Sequence, residues 1–266
     1  MGQTLVIAEK PSVAGDIARA LGGFKKDGDF WVSDAMIVGS AVGHLLEIKA
    51  PEEYDVKRGR WSFANLPVLP PHFDLQPIKK SIKKFEGLEK KIRSRSVTDI
   101  INACDAGREG ELIFRYIIQA TGTKKPIRRL WLQSMTKASI QKAFTALRSD
   151  AEMKPLEAAA RSRSEADWLV GINGTRALTA FNSKDGGFFL TTVGRVQTPT
   201  LAIVVAREEE ITHFKPQNYW EVHATFGAQA GDYDSVWVDA DFKKTKGQSA
   251  ELKPERLWTA AEAQAI

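Results

Sequence analysis

Asn102-Ala-Cys-Asp105-Ala-Gly107-Arg108-Glu109-Gly110-Glu111 is the stretch on which the reading of this chain turns. The apolar pair Ile100 and Ile101 leads into a carboxylate, and a glycine turn, an arginine and two more carboxylates follow before a helix-like segment. Carboxylates this crowded repel each other and lose hydration when packed, and a divalent cation or a shared proton commonly holds them together. Glu9 also ends an apolar run, Thr4-Leu-Val-Ile-Ala-Glu9. The two runs together predict an acidic Mg²⁺ site at the edge of an α/β sheet. Glu109 and Glu111 have a plainer reading as helix-start residues, since acidic groups there favour the helix dipole. The set as a whole favours the metal.

Working outward, the first half of the chain alternates strand and helix signals. Thr4–Ala8 reads as a buried strand and Ser12–Leu21 as a helix that Gly22-Gly23 stops. Met36–Val42 reads as a strand. Residues 51–77, rich in proline and aromatics, read as an ordered surface excursion. Ile78, Ile82, Phe85, Leu88 and Ile92 mark one helix face. Thr98–Cys104 and Ile127–Leu132 are predicted strands, with helices at Glu109–Ala120 and Lys137–Leu147. This alternation predicts a mainly parallel sheet covered by helices. From residue 151 the pattern turns helical over Leu156–Phe181. Thr198 suits an N-cap and Pro199 a first helical position for a helix to Ile211. Tyr219–Phe226 and Ser235–Phe242 then alternate like antiparallel strands, and Glu255–Ile266 is helix-like. The expected organisation is an α/β domain over 1–150, a helical domain over 151–215 and the start of a β-rich domain over 216–266.

With 266 residues and an apolar fraction of 43%, the chain can fill one large core or two modest ones. Its single cysteine, Cys104, excludes an internal disulfide framework and a Cys-rich zinc site, and fits a reducing cytoplasmic setting. No run approaches the ~20 apolar residues of a membrane span, so no membrane partner is expected. A net charge of +5 permits a nucleic-acid partner without establishing one.

Other residues carry weaker signals. Lys10 follows Glu9 and can hold a phosphate or stabilise developing charge; a surface salt bridge is the commoner fate of a lysine. Arg108 offers a planar fork to a phosphodiester. Arg195 and Gln197 stand just before a helix N-terminus, where free N–H groups favour a phosphate. The basic run Lys79–Arg95 reads as the solvated face of an amphipathic helix, with direct nucleic-acid contact the minority reading. His44 reads as a hydrogen-bonded structural residue. No Gly-rich loop ending in Gly-Lys-Ser/Thr occurs, so P-loop ATP hydrolysis is not indicated.

The motifs in order resemble those of the type IA DNA topoisomerases, most closely the bacterial topoisomerase III branch. They are Ile7-Ala-Glu-Lys-Pro-Ser12, Gly43-His44-Leu45, Asp105-Ala-Gly-Arg-Glu-Gly-Glu111, Arg129-Leu-Trp-Leu-Gln-Ser-Met-Thr136, Arg163-Ser-Glu-Ala-Asp-Trp-Leu-Val-Gly-Ile-Asn173 and Gly194-Arg-Val-Gln-Thr-Pro199. The match runs from residue 4 to about 225. The resemblance implies a Toprim α/β fold, a mainly helical domain and the start of a β-rich arch. It implies Glu9, Asp105 and Glu109 as Mg²⁺ ligands, and Glu9, Lys10 and Arg195 as catalytic residues. It places Arg163, Asp167, Arg176, Arg195 and Gln197 on single-stranded DNA. The implied activity is ATP-independent breakage, passage and rejoining of one strand through a 5′-phosphotyrosyl link. The implied substrates are negatively supercoiled or catenated DNA, and the setting is nucleoid-associated.

The chain departs from the family pattern in two places. The second aspartate of the family's acidic motif is Gly107 here, so Glu111 or water must fill the gap, or metal affinity falls. None of the four tyrosines, Tyr54, Tyr116, Tyr219 and Tyr233, lies in the family's Thr-Tyr-x-Arg context. The expectation is therefore an N-terminal fragment that binds DNA and metal without cleaving. Another Toprim enzyme, a primase or nuclease, is the alternative, but it should lack the Gly-Arg-Val-Gln-Thr-Pro and Asp-Trp-Leu-Val-Gly-Ile-Asn segments. A non-catalytic single-strand DNA-binding module is the other.

Overall fold

The computed structural model describes residues 2–53, 61–245 and 251–266. Tyr54 and the 54–60 part of the predicted surface excursion lie outside the described residues. In chain order the elements are β1 (Gln3–Ala8), α1 (Pro11–Leu21), β2 (Lys25–Asp27), β3 (Phe30–Val32), β4 (Met36–Ser40), β5 (Leu46–Ile48), β6 (Leu75–Pro77), α2 (Ile82–Arg93), β7 (Val97–Ala103), α3 (Arg108–Thr121), β8 (Ile127–Arg129), α4 (Lys137–Phe144), β9 (Arg148–Ser149), α5 (Asp150–Asn182), α6 (Gln197–Thr212), β10 (His223–Ala228), β11 (Gly231–Val236) and α7 (Ala260–Gln264). They group into two compact units, Met1–Thr200 and Leu201–Ile266.

The first unit is built on a seven-stranded sheet in the order β2-β3-β4-β1-β7-β8-β9. The four inner strands, β4, β1, β7 and β8, run parallel, and the flanking strands pair antiparallel. β1 is apolar at every position from Leu5 to Ala8 because both its faces are covered. Leu5 and Ile7 face a core shared with Phe85, Leu88 and Ile92 of α2 and with Leu112, Phe114 and Ile117 of α3. Val6 and Ala8 face the opposite core, with Ala14 and Ile17 of α1 and Ile140 of α4. The period-two alternation of one strand thus divides the two helical layers.

The α/β class and the helical region after it are as the sequence reading has them, with several shifts in detail. The strand expected over Met36–Val42 stops at Ser40, because Val42 takes φ 65° and leaves the extended region. β8 ends at Arg129, not Leu132, and the short strands β2, β3, β5, β6 and β9 carry too little periodicity to be foreseen. α5 begins at Asp150, ahead of Leu156, because Ser149 and Glu152 form a capping box that satisfies two free N–H groups. α6 begins at Gln197, so Thr198 and Pro199 lie inside it and are not its cap and first residue. The Thr198 hydroxyl instead accepts the Gly194 N–H at 3.0 Å.

In the second unit β10 and β11 form an antiparallel hairpin, with Phe226 stacked on Tyr233 at 5.5 Å. The second strand, expected at Ser235–Phe242, lies earlier because Gly231 at φ 123° closes the turn. The terminal helix contracts from Glu255–Ile266 to Ala260–Gln264, capped by Thr259 and Glu262. Among the described residues no helix is long and apolar enough to cross a membrane.

Candidate active site at the carboxyl end of the central strand

β1 is where the strand order reverses: the chain lays β4 on one side of it and then crosses to place β7 on the other. Ligands of open α/β sheets gather at such a switch point, beyond the carboxyl ends of the strands. Glu9 follows β1, His44 follows β4 and Asp105 follows β7, so all three arrive at one edge. The Glu9 carbonyl accepts the N–H groups of Val42 at 2.7 Å and Gly43 at 3.2 Å. Val42, a β-branched residue with φ 65°, holds strain of about 1–3 kcal/mol in this turn.

The Lys10 ammonium stands between the two main carboxylates, 3.0 Å from Asp105 Oδ2 and 3.6 Å from Glu9 Oε1. Its hydrogen bond to Asp105, the Asp105 charge and then the Glu9 charge raise its pKa above the ordinary lysine value, so it stays cationic. Glu109 projects from the first turn of α3 with its Oε2 3.4 Å from His44 Nε2. Arg108 is exposed at the first position of the same helix.

The candidate donors are all carboxylate oxygens, which suit a hard cation such as Mg²⁺. Glu9 Oε2 is buried and has no hydrogen-bond partner. Among the described residues no three His, Cys, Asp or Glu side chains stand close enough to hold an ion: Lys10 takes the centre and Glu109 turns to His44. The set fits Mg²⁺ in donor chemistry, with Asp105 and Glu109 exposed enough to turn toward Glu9.

Glu111 does not fill the place left by Gly107. Its carboxylate is 0% exposed and points into the protein, where Oε1 accepts from Arg115 Nε at 2.7 Å. Its Oε2 accepts from Asn102 Nδ2 at 3.0 Å and lies 3.3 Å from Arg129 Nε. The apolar neighbours that make α3 a core helix turn this position inward, while Glu109, two residues earlier, faces out. Arg129 is buried as well. Its guanidinium donates to the carbonyls of Asn102 at 3.0 Å, Cys104 at 2.7 Å and Asp105 at 2.7 Å. The loop carrying Asp105 is thereby gripped from beneath. Burial pushes the Cys104 thiol far up, leaving it inert as a nucleophile.

At Gly107 the backbone is extended (φ 175°) and a Cβ would meet nothing within 4 Å. Gly107→Asp is therefore sterically free and adds the missing carboxylate at the N-cap of α3. We expect it to tighten Mg²⁺ binding about tenfold, roughly 1.4 kcal/mol, by calorimetric titration against the wild type. Equal affinities would show that this position lies outside the metal's reach.

On the helical side of the first unit, Arg195 Nη1 donates to Asp167 Oδ1 at 2.8 Å and Arg163 Nε lies 3.8 Å from Asp167 Oδ2. These three predicted DNA-contact residues form one exposed ionic cluster. Gln197 Nε2 donates to Thr192 Oγ1 at 3.0 Å beside it. Arg176 is not with them: it is 7% exposed, pairs with Glu52 and lies 5.2 Å from the Trp61 ring centroid. The guanidinium expected on DNA is thus largely covered, with its Nη2 donating to Glu52. On α2 Lys83 and Lys90 face solvent, Lys84 pairs with Asp29 and Lys91 lies over the Phe30 ring, while Phe85, Leu88 and Ile92 are buried. Tyr116 is buried with its hydroxyl on Ser164 Oγ at 2.9 Å, and Tyr219 lies 4.0 Å beneath Arg256. Sequence reasoning missed Arg115 and Arg129, and gave His44 no charged partner. The only available signal for the arginines was a charge set in a predicted core helix or buried strand.

Residues 4–135 match the Toprim domain family and residues 151–266 the DNA topoisomerase family. The chain is 42% identical over 258 residues to DNA topoisomerase 3 of Bacillus thuringiensis (strain Al Hakam), covering 97% of this chain and 34% of that protein. It is 44% identical over 223 residues to DNA topoisomerase 3 of Staphylococcus aureus (strain USA300), covering 84% of this chain and 31% of the relative. The chain therefore spans about a third of the length of these relatives. Full-length topoisomerase I from Thermotoga maritima shares the fold, with a TM-score of 0.55 and 22% identity over 93% of this chain and 36% of that one. With a Toprim domain carrying Glu9 and the Asp105 motif, followed by a topoisomerase domain carrying Arg163, Asp167 and Arg195, the chain belongs to the bacterial type IA DNA topoisomerases.

Proposed function

We propose that residues 1–266 are the metal- and DNA-binding part of a topoisomerase of the type III branch. In its longer form this enzyme breaks, passes and rejoins single-stranded DNA without ATP. Its substrates are negatively supercoiled or catenated DNA in the cytoplasm, at the nucleoid. The observation that carries this reading is the Lys10 bridge between Glu9 and Asp105 at the switch point of a Toprim sheet. The domain layout that goes with it is Toprim over 1–150, helical over 151–215 and β-rich arch over 216–266.

In this mechanism Lys10 meets the scissile phosphate, exchanging its contact with Asp105 for a phosphate oxygen. Glu9, held by the Val42 turn, keeps the ammonium in place and stands near the leaving or attacking 3′-hydroxyl. Arg163, Asp167, Arg195 and Gln197, one cluster in this structure, together hold and orient the strand. Glu9, Asp105 and Glu109 would hold Mg²⁺, which when bound neutralises phosphate charge and fixes its geometry for rejoining. The nucleophilic tyrosine of the 5′-phosphotyrosyl link comes from outside these 266 residues. Among the described tyrosines, Tyr116 is buried, Tyr219 lies beneath an arginine and Tyr233 stacks on Phe226. This chain alone then binds single-stranded DNA, more weakly as salt rises.

The test is relaxation of negatively supercoiled plasmid with Mg²⁺ and no ATP, comparing a longer product of the gene with this chain. Relaxation by the longer protein alone is the expected result. Cleavage by residues 1–266 alone would place the nucleophile here and overturn the assignment of roles.

A further inference from the structure

α3 touches both halves of the site at once. On one side Glu111 meets Arg129, whose guanidinium holds the carbonyls of the Asp105 loop. On the other, Arg115 carries the same charge chain into α5. Arg115 Nε donates to Glu111 Oε1 at 2.7 Å, while Nη1 lies 2.6 Å from Asp150 Oδ1 and 3.2 Å from Glu157 Oε2. Three carboxylates from two helices thus share one guanidinium that is 5% exposed. The fork reaches them from two separate nitrogens, Nε and Nη1, whereas a lysine gathers its donors on one nitrogen, as Lys154 does between Asp150 and Glu157. Arg161 Nη1 to Gln119 Oε1 at 2.8 Å and the Tyr116–Ser164 bond continue the seam. Arg163 and Asp167 sit on the same helix, about 9 and 15 Å along its axis from Glu157 at 1.5 Å per residue.

We infer that Arg115 is a positioning residue: it fixes α5, with Arg163 and Asp167, relative to the loop carrying Asp105, so that one single-stranded backbone is gripped at both places. The inference rests on the reading of these two clusters as DNA-handling groups. It adds a residue that touches neither DNA nor metal and acts only through Glu111, Asp150 and Glu157.

The test takes the 266-residue chain as Arg115→Lys, which keeps the charge and loses the fork. A second variant, Asp150→Asn with Glu157→Gln, cuts the chain at its more exposed α5 end and leaves the buried Glu111–Arg115 pair intact. Ile92→Ala, a core cavity on α2, is the control. Amide hydrogen exchange should quicken about tenfold in both residues 102–107 and residues 150–157 for each of the first two variants, and not selectively there for the control. Affinity for an oligodeoxynucleotide of about 12 nucleotides should fall about tenfold in Arg115→Lys, while that for one of about 3 nucleotides, which meets fewer phosphate-binding groups at once, should fall much less. Unchanged exchange in residues 102–107 for both variants overturns the inference. So does equal weakening of the long and short probes, or the same pattern from Ile92→Ala. If the wild type binds neither probe, the DNA-handling reading fails, and the exchange pattern alone decides whether Arg115 couples the two segments.

Discussion

Replacing Glu111 by alanine is expected to destabilise the chain by about 3–5 kcal/mol, a large share of the stability an ordinary folded chain has. Glu111 is fully buried between two buried guanidinium groups, those of Arg115 and Arg129. Removing the carboxylate leaves two cations facing each other in a low-dielectric interior and strips Asn102 Nδ2 of its acceptor. Arg115 retains Asp150 and Glu157, which are partly solvated, but the Arg129 Nε retains no carboxylate. Glu111→Leu should do no better, since shape is not what is lost. Glu109→Ala, two residues earlier and exposed, should leave stability nearly unchanged and weaken only Mg²⁺ binding. Urea unfolding monitored by far-UV circular dichroism separates the two, provided the slope with denaturant is constant across the variants. A loss under about 1 kcal/mol for Glu111→Ala would mean that the buried charge network is not closed as described.

That contrast also marks how far the sequence could be read. The acidic loop, its place after a strand and its partner Glu9 were legible because an apolar run ending in a carboxylate is a local pattern. Lys10 was legible by adjacency to Glu9. Which acidic residue faces solvent was not, because Glu109 and Glu111 share the same helix start and the same dipole argument. The difference comes from the rotation of α3 against the sheet, set by Leu112, Phe114 and Ile117 and by arginines from α3 itself and from β8. Arg176 shows the same limit: its partner Glu52 is 124 residues away, and no local spacing reveals it. The short outer strands β2, β3 and β9, at two or three residues each, are products of pairing, β2 with β3, β3 with β4 and β9 with β8, and have no pattern of their own.

The second large effect concerns a residue with no side chain. Gly110 lies in the first turn of α3, where alanine ordinarily stabilises a helix by about 1 kcal/mol relative to glycine. Here the sign reverses. A Cβ at Gly110 would stand 2.2 Å from the Asp105 carbonyl oxygen, 2.6 Å from its nitrogen and 2.9 Å from its carbonyl carbon. All three are backbone atoms, and Arg129 pins that carbonyl at 2.7 Å, so the loop has no cheap way to retreat. Gly110→Ala should cost about 3 kcal/mol, at the upper end of overpacking effects. It should also push Asp105 away from Lys10, opening the 3.0 Å bridge and weakening Mg²⁺ binding at least tenfold, about 1.4 kcal/mol. Gly87, in the interior of α2 with nothing within 4 Å of its Cβ position, is the matched control. Gly87→Ala should raise stability by about 0.5–1 kcal/mol. If both substitutions stabilise alike, the helix does not press on the Asp105 backbone, and the close approach that sets Asp105 beside Lys10 is absent. If only Gly110→Ala fails, the glycine is required by the position of the carboxylate and not by the helix that contains it.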